Sequence, residues 1–334
     1  MTIAGAQDGA ASSPTPPSVI ALFGPTGLGK TDVAVYLAER LDAEIVSADS
    51  MQVYRGLPIL TNQPTPEQLA RVPHHLIAAI APDHEFSVAE YAQLAHAAID
   101  DILARGRRVV IEGGAGLYLR AALGDLTFGA SPDTKLRADL QARAAGDFAA
   151  LRAELARLDP ATAARIDLDN PRRVVRALET ISRQGAPLTP NQRDGLWTTS
   201  ARYEHVLYAL EPDRGELRAR IDARVEQMVA NGLVAEVTRL RSLPCVSRTL
   251  RQAIGVRELW ACLDGDMSLA GAVAATQART RQYVRRQLTW MRKLPDTATI
   301  SCAGLSSSAV ADVIVRNSEN DSRTTGNGFR PASS

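Results

Sequence analysis

Gly24-Pro25-Thr26-Gly27-Leu28-Gly29-Lys30-Thr31 fits the phosphate-binding pattern G-x-x-x-x-G-K-[ST], and its flanks decide the fold. Ser18–Phe23, ahead of it, is apolar enough to be a buried strand. Thr31–Leu41, behind it, carries Val33, Ala34, Leu37, Ala38 and Leu41 at helical spacing. A Gly-rich turn between strand and helix aims backbone N–H groups and the positive helix end at phosphate oxygens. All eight residues, Gly24, Pro25, Thr26, Gly27, Leu28, Gly29, Lys30 and Thr31, are therefore expected at a phosphate site. Lys30 supplies a point charge there, and the Thr31 hydroxyl is suited to hold Mg²⁺. Lys30 is also the first basic residue of a chain that otherwise relies on Arg.

Two further strand–loop units follow. Glu44–Ala48 leads into Asp49-Ser50-Met51-Gln52-Val53-Tyr54-Arg55-Gly56, and Arg107–Glu112 leads into Gly113-Gly114-Ala115-Gly116-Leu117-Tyr118. A helical pattern, Val88–Arg105, lies between them. Strands alternating with helices predict a parallel sheet covered on both faces, an α/β fold of the P-loop NTPase-like kind. Ligands on such sheets gather beyond the carboxyl ends of the strands, so the three loops are expected to converge.

From Asp125 to Trp197 strand-like runs vanish, and helical periods appear at Thr134–Ala145, Asp147–Leu158 and Asn170–Arg183. Asn170-Pro171 has the form of a helix start. This stretch predicts a helical insertion at 125–199, between two core segments, 18–124 and 200–300. Tyr203–Leu210 returns as a strand, and long helices are expected at Arg214–Ser242, Leu250–Asp264 and Leu269–Lys293. The tails, 1–17 and 303–334, are polar or rich in Ala, Ser and Pro and are expected to be disordered.

The chain has 334 residues, 45% of them hydrophobic, enough for a large core. Its net charge is +1, so any contact with nucleic acid must come from local basic patches. Three cysteines without metal-ligand spacing fit thiols in a reducing compartment, the cytoplasm. The first residues lack the basic and apolar regions of a signal peptide. No apolar stretch approaches a membrane span, so no membrane partner is expected.

Asp49 follows its strand directly. A carboxylate there can hold Mg²⁺ through water, take a proton from an attacking group, or cap a turn. Gly113-Gly114 suits close approach to a ligand or a turn that needs positive φ. Thr280–Lys293 carries Arg281, Arg285, Arg286, Arg292 and Lys293 without an acidic residue, and Arg172, Arg173 and Arg176 form a second basic set. Uninterrupted by acids, both favour a polyanion over a merely solvated face. Tyr283 and Trp290 are read as core residues in preference to base-stacking platforms.

Together these strings resemble the bacterial tRNA dimethylallyltransferases. The resemblance runs from Val19 to about Leu294 and includes Pro73-His74-His75-Leu76, Ile221-Asp222-Ala223-Arg224-Val225 and Ala253-Ile254-Gly255. It implies transfer of a dimethylallyl group from its diphosphate to N6 of the adenosine 3′ of the anticodon, in tRNAs reading codons that begin with U. It implies Mg²⁺ as cofactor, a monomer, and an insertion that grips the anticodon stem-loop. By resemblance Asp49, Arg224 and Lys30 are catalytic. Asp49, Ser50, Met51, Gln52, Ala115, Arg137, Arg172, Arg173, Arg176, Arg251, Gln252, Gly255, Arg281 and Arg285 would touch tRNA. The chain departs from the family pattern at Ala115, where Thr is common, at Gln63, where Lys is usual, at Val256, usually aromatic, and at Asp169-Asn170, usually inverted. Prenylation of a free adenine nucleotide, a P-loop small-molecule kinase and an RNA-binding protein without activity are the competing readings.

Overall fold

The computed structural model describes residues 18–126, 133–187 and 201–324. The chain divides into two units, Met1–Gly124 with Ala201–Ser334, and Asp125–Ser200. In chain order the first unit opens with β1 (Val19–Phe23), α1 (Lys30–Leu41), β2 (Ala43–Ser47), α2 (Pro58–Thr61), α3 (Pro66–Arg71), β3 (His74–His75), α4 (Val88–Ala104), β4 (Arg108–Gly113) and α5 (Gly116–Leu123). The second unit holds α6 (Thr134–Gly146), α7 (Phe148–Leu158), α8 (Pro160–Arg165) and α9 (Pro171–Gln184). The first unit resumes with β5 (His205–Glu211), α10 (Arg214–Ala230), α11 (Leu233–Arg241), α12 (Arg248–Arg251), α13 (Val256–Leu263), α14 (Leu269–Met291), β6 (Thr297–Ser301) and α15 (Ser307–Thr324).

The six strands form one sheet in the order β3-β2-β4-β1-β5-β6, with every pairing parallel. All five residues of β1 are buried, as a central strand covered on both faces requires. Phe23 pairs with Gly113 and Ala209, and Ser47 pairs with Glu112. The loops after β1, β2 and β4 thus leave the sheet at one edge. Ile20 and Leu22 pack with Val33 and Leu37 of α1 in the main core.

At the opposite edge Glu44, 3% exposed, accepts from His75 Nε2 at 2.7 Å, Arg105 Nη2 at 2.9 Å and Arg107 Nη1 at 3.1 Å. Arg105 foremost, then His75, lower its pKa to about 2 against the effect of burial.

The C-terminal expectation is corrected. Residues 303–324 are not a disordered tail, because 307–324 form α15, and its Val310, Ala311 and Ile314 are fully buried against α1 and β6. The segment is polar on average, yet its apolar residues fall at positions that share a face, and that face is what packs. Two long helices are also broken. Gly232 (φ 99°) separates α10 from α11, and Gly255 (φ 99°) separates α12 from α13. Helical periodicity continues across both sites, so the pattern hides the break, whereas only Gly takes that backbone conformation at little cost. Tail 1–17 lies outside the described residues, as do 127–132, 188–200 and 325–334.

The second unit has its own core of Leu140, Leu151, Leu155, Val174, Leu178 and Ile181. Asn170 Oδ1 accepts the Arg172 N–H at 3.1 Å and caps α9. That cap sets the helix phase: Val174, Val175, Ala177 and Leu178 turn inward, and Arg172, Arg173 and Arg176 are exposed.

Candidate active site

The three loops and α10 enclose a cavity of about 690 Å³. Thr26, Gly27, Gly29, Lys30 and Thr31 line it from the P-loop, Asp49 and Gln52 from the β2 loop, and Glu112, Gly113 and Gly114 from the end of β4. Arg220, Arg224 and Gln227 face it from α10. Residues 220, 224 and 227 share a helix face, which is why one helix delivers all three.

The P-loop is built by its glycines. Gly29 (φ 82°) stands at the N-cap of α1, where a left-handed residue turns the loop into the helix. Lys30 Nζ donates to the Pro25 carbonyl at 3.1 Å. The Thr26 N–H is already engaged by the Gln287 side chain at 3.0 Å, so that amide of the expected cradle serves the fold.

Burial pushes the Lys30 pKa down, while Glu112 and Asp49 support its charge. Glu112 is 3% exposed, and burial raises its pKa against the attraction of Lys30. Its carboxylate accepts the Thr31 hydroxyl at 3.2 Å. Burial also works against the charge on Arg224, and Asp49 supports it. Lys30, Arg224 and Asp49, all half-buried, and the buried Glu112 therefore form one set of mutually compensating charges.

Glu112 was not singled out as a site residue by the sequence reading. The sequence marks it only as an acidic residue at the end of a strand, ahead of Gly113-Gly114. Its neighbour Thr31 is known only from the register, β1 beside β4.

Mg²⁺ fits this donor set in one way. Among the described residues no three His, Cys, Asp or Glu side chains converge on a point. The protein offers the Thr31 hydroxyl and a nearby buried carboxylate, Glu112. Mg²⁺ typically keeps several waters and takes its other ligands from phosphate oxygens, so a two-donor site suits it.

Asp49 Oδ1 accepts the N–H groups of Met51 at 2.7 Å and Gln52 at 3.3 Å. The turn-cap role is real, and it involves one carboxylate oxygen. Among the described residues Oδ2 makes no protein hydrogen bond, so it can still accept from a ligand. Gln52 is more committed. Its Oε1 accepts from Ser47 at 2.8 Å and its Nε2 donates to the Asn62 carbonyl at 2.7 Å. The side chain braces the loop, and the backbone is engaged as well: its N–H by Asp49 and its carbonyl by the Ala78 N–H at 2.9 Å. Gln63 Nε2 donates to the carbonyls of Gln52 at 2.9 Å and Tyr54 at 2.7 Å, so the residue standing where Lys is usual staples the same loop. Ser50 and Met51 are half-buried beside it.

Gly113 and Gly114 have ordinary φ, so neither residue serves a positive-φ turn. A Cβ on Gly113 would stand 2.3 Å from the Ala48 carbonyl oxygen, and one on Gly114 2.1 Å from Gln287 Nε2. Both glycines admit close approach of the protein to itself as well as lining the cavity. Ala115 is the N-cap of α5 and makes no side-chain cap. A Thr hydroxyl there could cap the helix, a role distinct from touching RNA or phosphate.

The basic residues divide. Arg285 and Arg286 are exposed on α14, and Arg251 is exposed with its Nε on the Val246 carbonyl at 3.0 Å. Arg281 pairs with Asp222 of α10, so an acid lies opposite the helix although none lies within it. Arg137 Nε donates to the buried Glu179 at 3.0 Å, which gives it a structural anchor within the second unit. The Gln252 carbonyl accepts from Arg279 at 3.2 Å. Gly255 is buried, with its N–H on Glu258 at 3.0 Å, and belongs to the interior. Trp290 is half-buried and packs on Gly116 at the edge of the core. No helix among the described residues is long and apolar enough to cross a membrane.

The family model described as IPP transferase matches residues 52–294. A tRNA dimethylallyltransferase of Anaeromyxobacter dehalogenans is 45% identical over 82% of this chain and 92% of the relative. One from Salinispora tropica is 42% identical over 94% of this chain and 97% of the relative. The crystal structure of the full-length tRNA isopentenylpyrophosphate transferase from Bacillus halodurans superposes with a TM-score of 0.67 at 34% identity, covering 93% of this chain and 99% of that one. The chain belongs to the IPP transferase family, the family of the tRNA dimethylallyltransferases.

Proposed function

We propose that this protein transfers a dimethylallyl group from dimethylallyl diphosphate to N6 of the adenosine just 3′ of the anticodon, in tRNAs that read codons beginning with U. The observation that carries the reading is the convergence of a P-loop, two arginines on one helix face and an Asp carboxylate on one cavity. The cations suit a departing diphosphate, and the carboxylate suits an attacking amine.

The C–O bond between the allylic carbon and the diphosphate breaks, and the bond from adenine N6 to that carbon forms. Negative charge grows on the leaving oxygen. Lys30 is held before reaction by the Pro25 carbonyl, and Arg224 faces the same cavity, so both can meet that charge. The adenine amine is a poor nucleophile because its lone pair is delocalised into the ring. Asp49 Oδ2 can orient it and accept its proton as the new bond forms. Bound Mg²⁺ would supply further charge stabilisation on the diphosphate, with Thr31 and Glu112 as its protein-side partners. The target base must leave its stack to reach Asp49, at a cost of about a few kcal/mol. Arg172, Arg173 and Arg176 on α9, and Arg285 on α14, would hold RNA phosphates, contacts that position without reading sequence.

The test is incubation with dimethylallyl diphosphate and Mg²⁺ plus either bulk tRNA or AMP, followed by nucleoside mass analysis. A dimethylallyl mass gain on tRNA adenosine alone is expected. Gain on AMP alone would make the protein a nucleotide prenyltransferase, and the tRNA reading would be withdrawn.

A further inference from the structure

We infer that Gln287 is a positioning residue for the diphosphate: its carboxamide joins the P-loop to the β4 loop and holds the cradle in its binding shape. The inference rests on the P-loop being the diphosphate site.

Gln287 is 2% exposed, about one turn from the C-terminal end of α14. Its Oε1 accepts the Thr26 N–H at 3.0 Å, and its Nε2 donates to the Gly114 carbonyl at 2.9 Å. Thr26 is the third residue of the P-loop, and Gly114 follows the end of β4. Strands β1 and β4 are paired up to Phe23 and Gly113. Beyond that pair no backbone hydrogen bond joins the two loops among the described residues. Gln287 bridges the gap as a peptide group would, with one acceptor and one donor. A carboxamide offers both ends in fixed geometry whatever the pH, which a carboxyl group does only when protonated.

The surroundings are built for this contact. A Cβ on Gly114 would stand 2.1 Å from Gln287 Nε2, so Gly is needed where the amide docks. One turn further along α14, Trp290 presses on Gly116, where a Cβ would stand 2.3 Å from the indole. Toward the other end, Arg281 pairs with Asp222, and Gln277 Nε2 donates to the Asp222 carbonyl at 3.1 Å. Asp222 is on α10, which carries Arg224 and Arg220 into the cavity. Helix α14 is thereby tied to both banks of the diphosphate site, and Gln287 is its tie to the P-loop bank. A loop fixed before the ligand arrives loses less entropy on binding.

The experiment compares wild type, Gln287→Met and Gln287→Glu for Mg-pyrophosphate binding by calorimetry, tRNA affinity, transfer kinetics and melting temperature. Gln287→Met keeps the side chain's length and removes both hydrogen bonds. It is expected to weaken pyrophosphate binding and to raise KM for dimethylallyl diphosphate by about tenfold, the scale of two lost neutral hydrogen bonds, with tRNA affinity unchanged. Gln287→Glu presents two acceptors when ionised, one of them facing the Gly114 carbonyl. When protonated it again offers a donor and an acceptor. Its donor affinity is therefore expected to recover as pH falls, a limb absent from wild type. That acid recovery tests the assignment even where Gln287→Met folds poorly. Unchanged pyrophosphate affinity in Gln287→Met, or donor and tRNA affinity lost in equal measure, overturns the inference. Pyrophosphate binding by the wild type without any prenyl transfer would instead sink the proposed function and leave Gln287 testable through the binding arm.

Discussion

Replacing Lys30 with Ala removes the ammonium from a buried site shared with Glu112, Asp49 and Arg224. The substitution has two separable effects. First, it deletes a fixed cation where negative charge develops on the leaving group. Loss of one such preorganised donor costs about 3–4 kcal/mol at the transition state, a fall of about 10²–10³ in kcat. Second, it strips Glu112 of the attraction that opposes its burial. A buried charged group left without its partner costs about 1–3 kcal/mol or more. For a domain of this size that lowers the melting temperature by roughly 3–10 °C. Burial already raises the Glu112 pKa, and loss of Lys30 moves it further the same way, toward the neutral acid. Adding Glu112→Gln separates the effects. A neutral amide needs no counter-charge, so the double variant regains stability, but the diphosphate still lacks its lysine and the rate stays low. The assays are single-turnover transfer to tRNA, thermal melts and tRNA binding, with tRNA affinity falling modestly at most. Turnover in Lys30→Ala equal to wild type, or a rate restored by Glu112→Gln, would refute the reasoning.

Asp49→Asn keeps an oxygen for the Met51 and Gln52 amides but cannot take a proton. It is expected to fold normally and lose about 10²–10⁴ in rate, the usual worth of a general base; a rate near wild type in single-turnover assays would leave Asp49 as a turn cap alone. Ile314→Ala opens a hole under α15, where the wild-type side chain is 0% exposed. A loss of about 2–5 kcal/mol in denaturant melts is expected, and no loss would mean the helix adds nothing to the fold. Ala115→Thr supplies the missing cap of α5 and is expected to add about 1 kcal/mol to stability, measured as a rise in melting temperature. Glu44 has a folded-state pKa of about 2, below its ordinary 4.5. Its stabilisation is therefore present above pH 4.5 and disappears as pH falls toward 2. Glu44→Gln should melt lower at neutral pH and lose that acid-dependent slope; identical pH–stability curves would remove Glu44 from the account.

The sequence by itself determined the strand–P-loop–helix unit, the parallel α/β class, the helical character of the second unit and the family. These are local matters. Gly29, Lys30 and Thr31 act within one turn, and periodicity reports a helix wherever a face is buried. It also nominated Asp49 and Arg224, though only the resemblance could assign Arg224 its role. The tertiary structure decided what depends on residues far apart in sequence. It placed Glu112 beside Thr31, because strand order is not written in spacing. It paired Arg281 with Asp222 and Arg137 with Glu179, so charges that look unopposed along the chain are opposed in space. It folded the polar C-terminal segment into α15, because three buried side chains outweigh an average composition. And it put Gln287 between two loops that are 261 and 173 residues away in sequence, a contact that exists only once the helix has docked on the sheet edge.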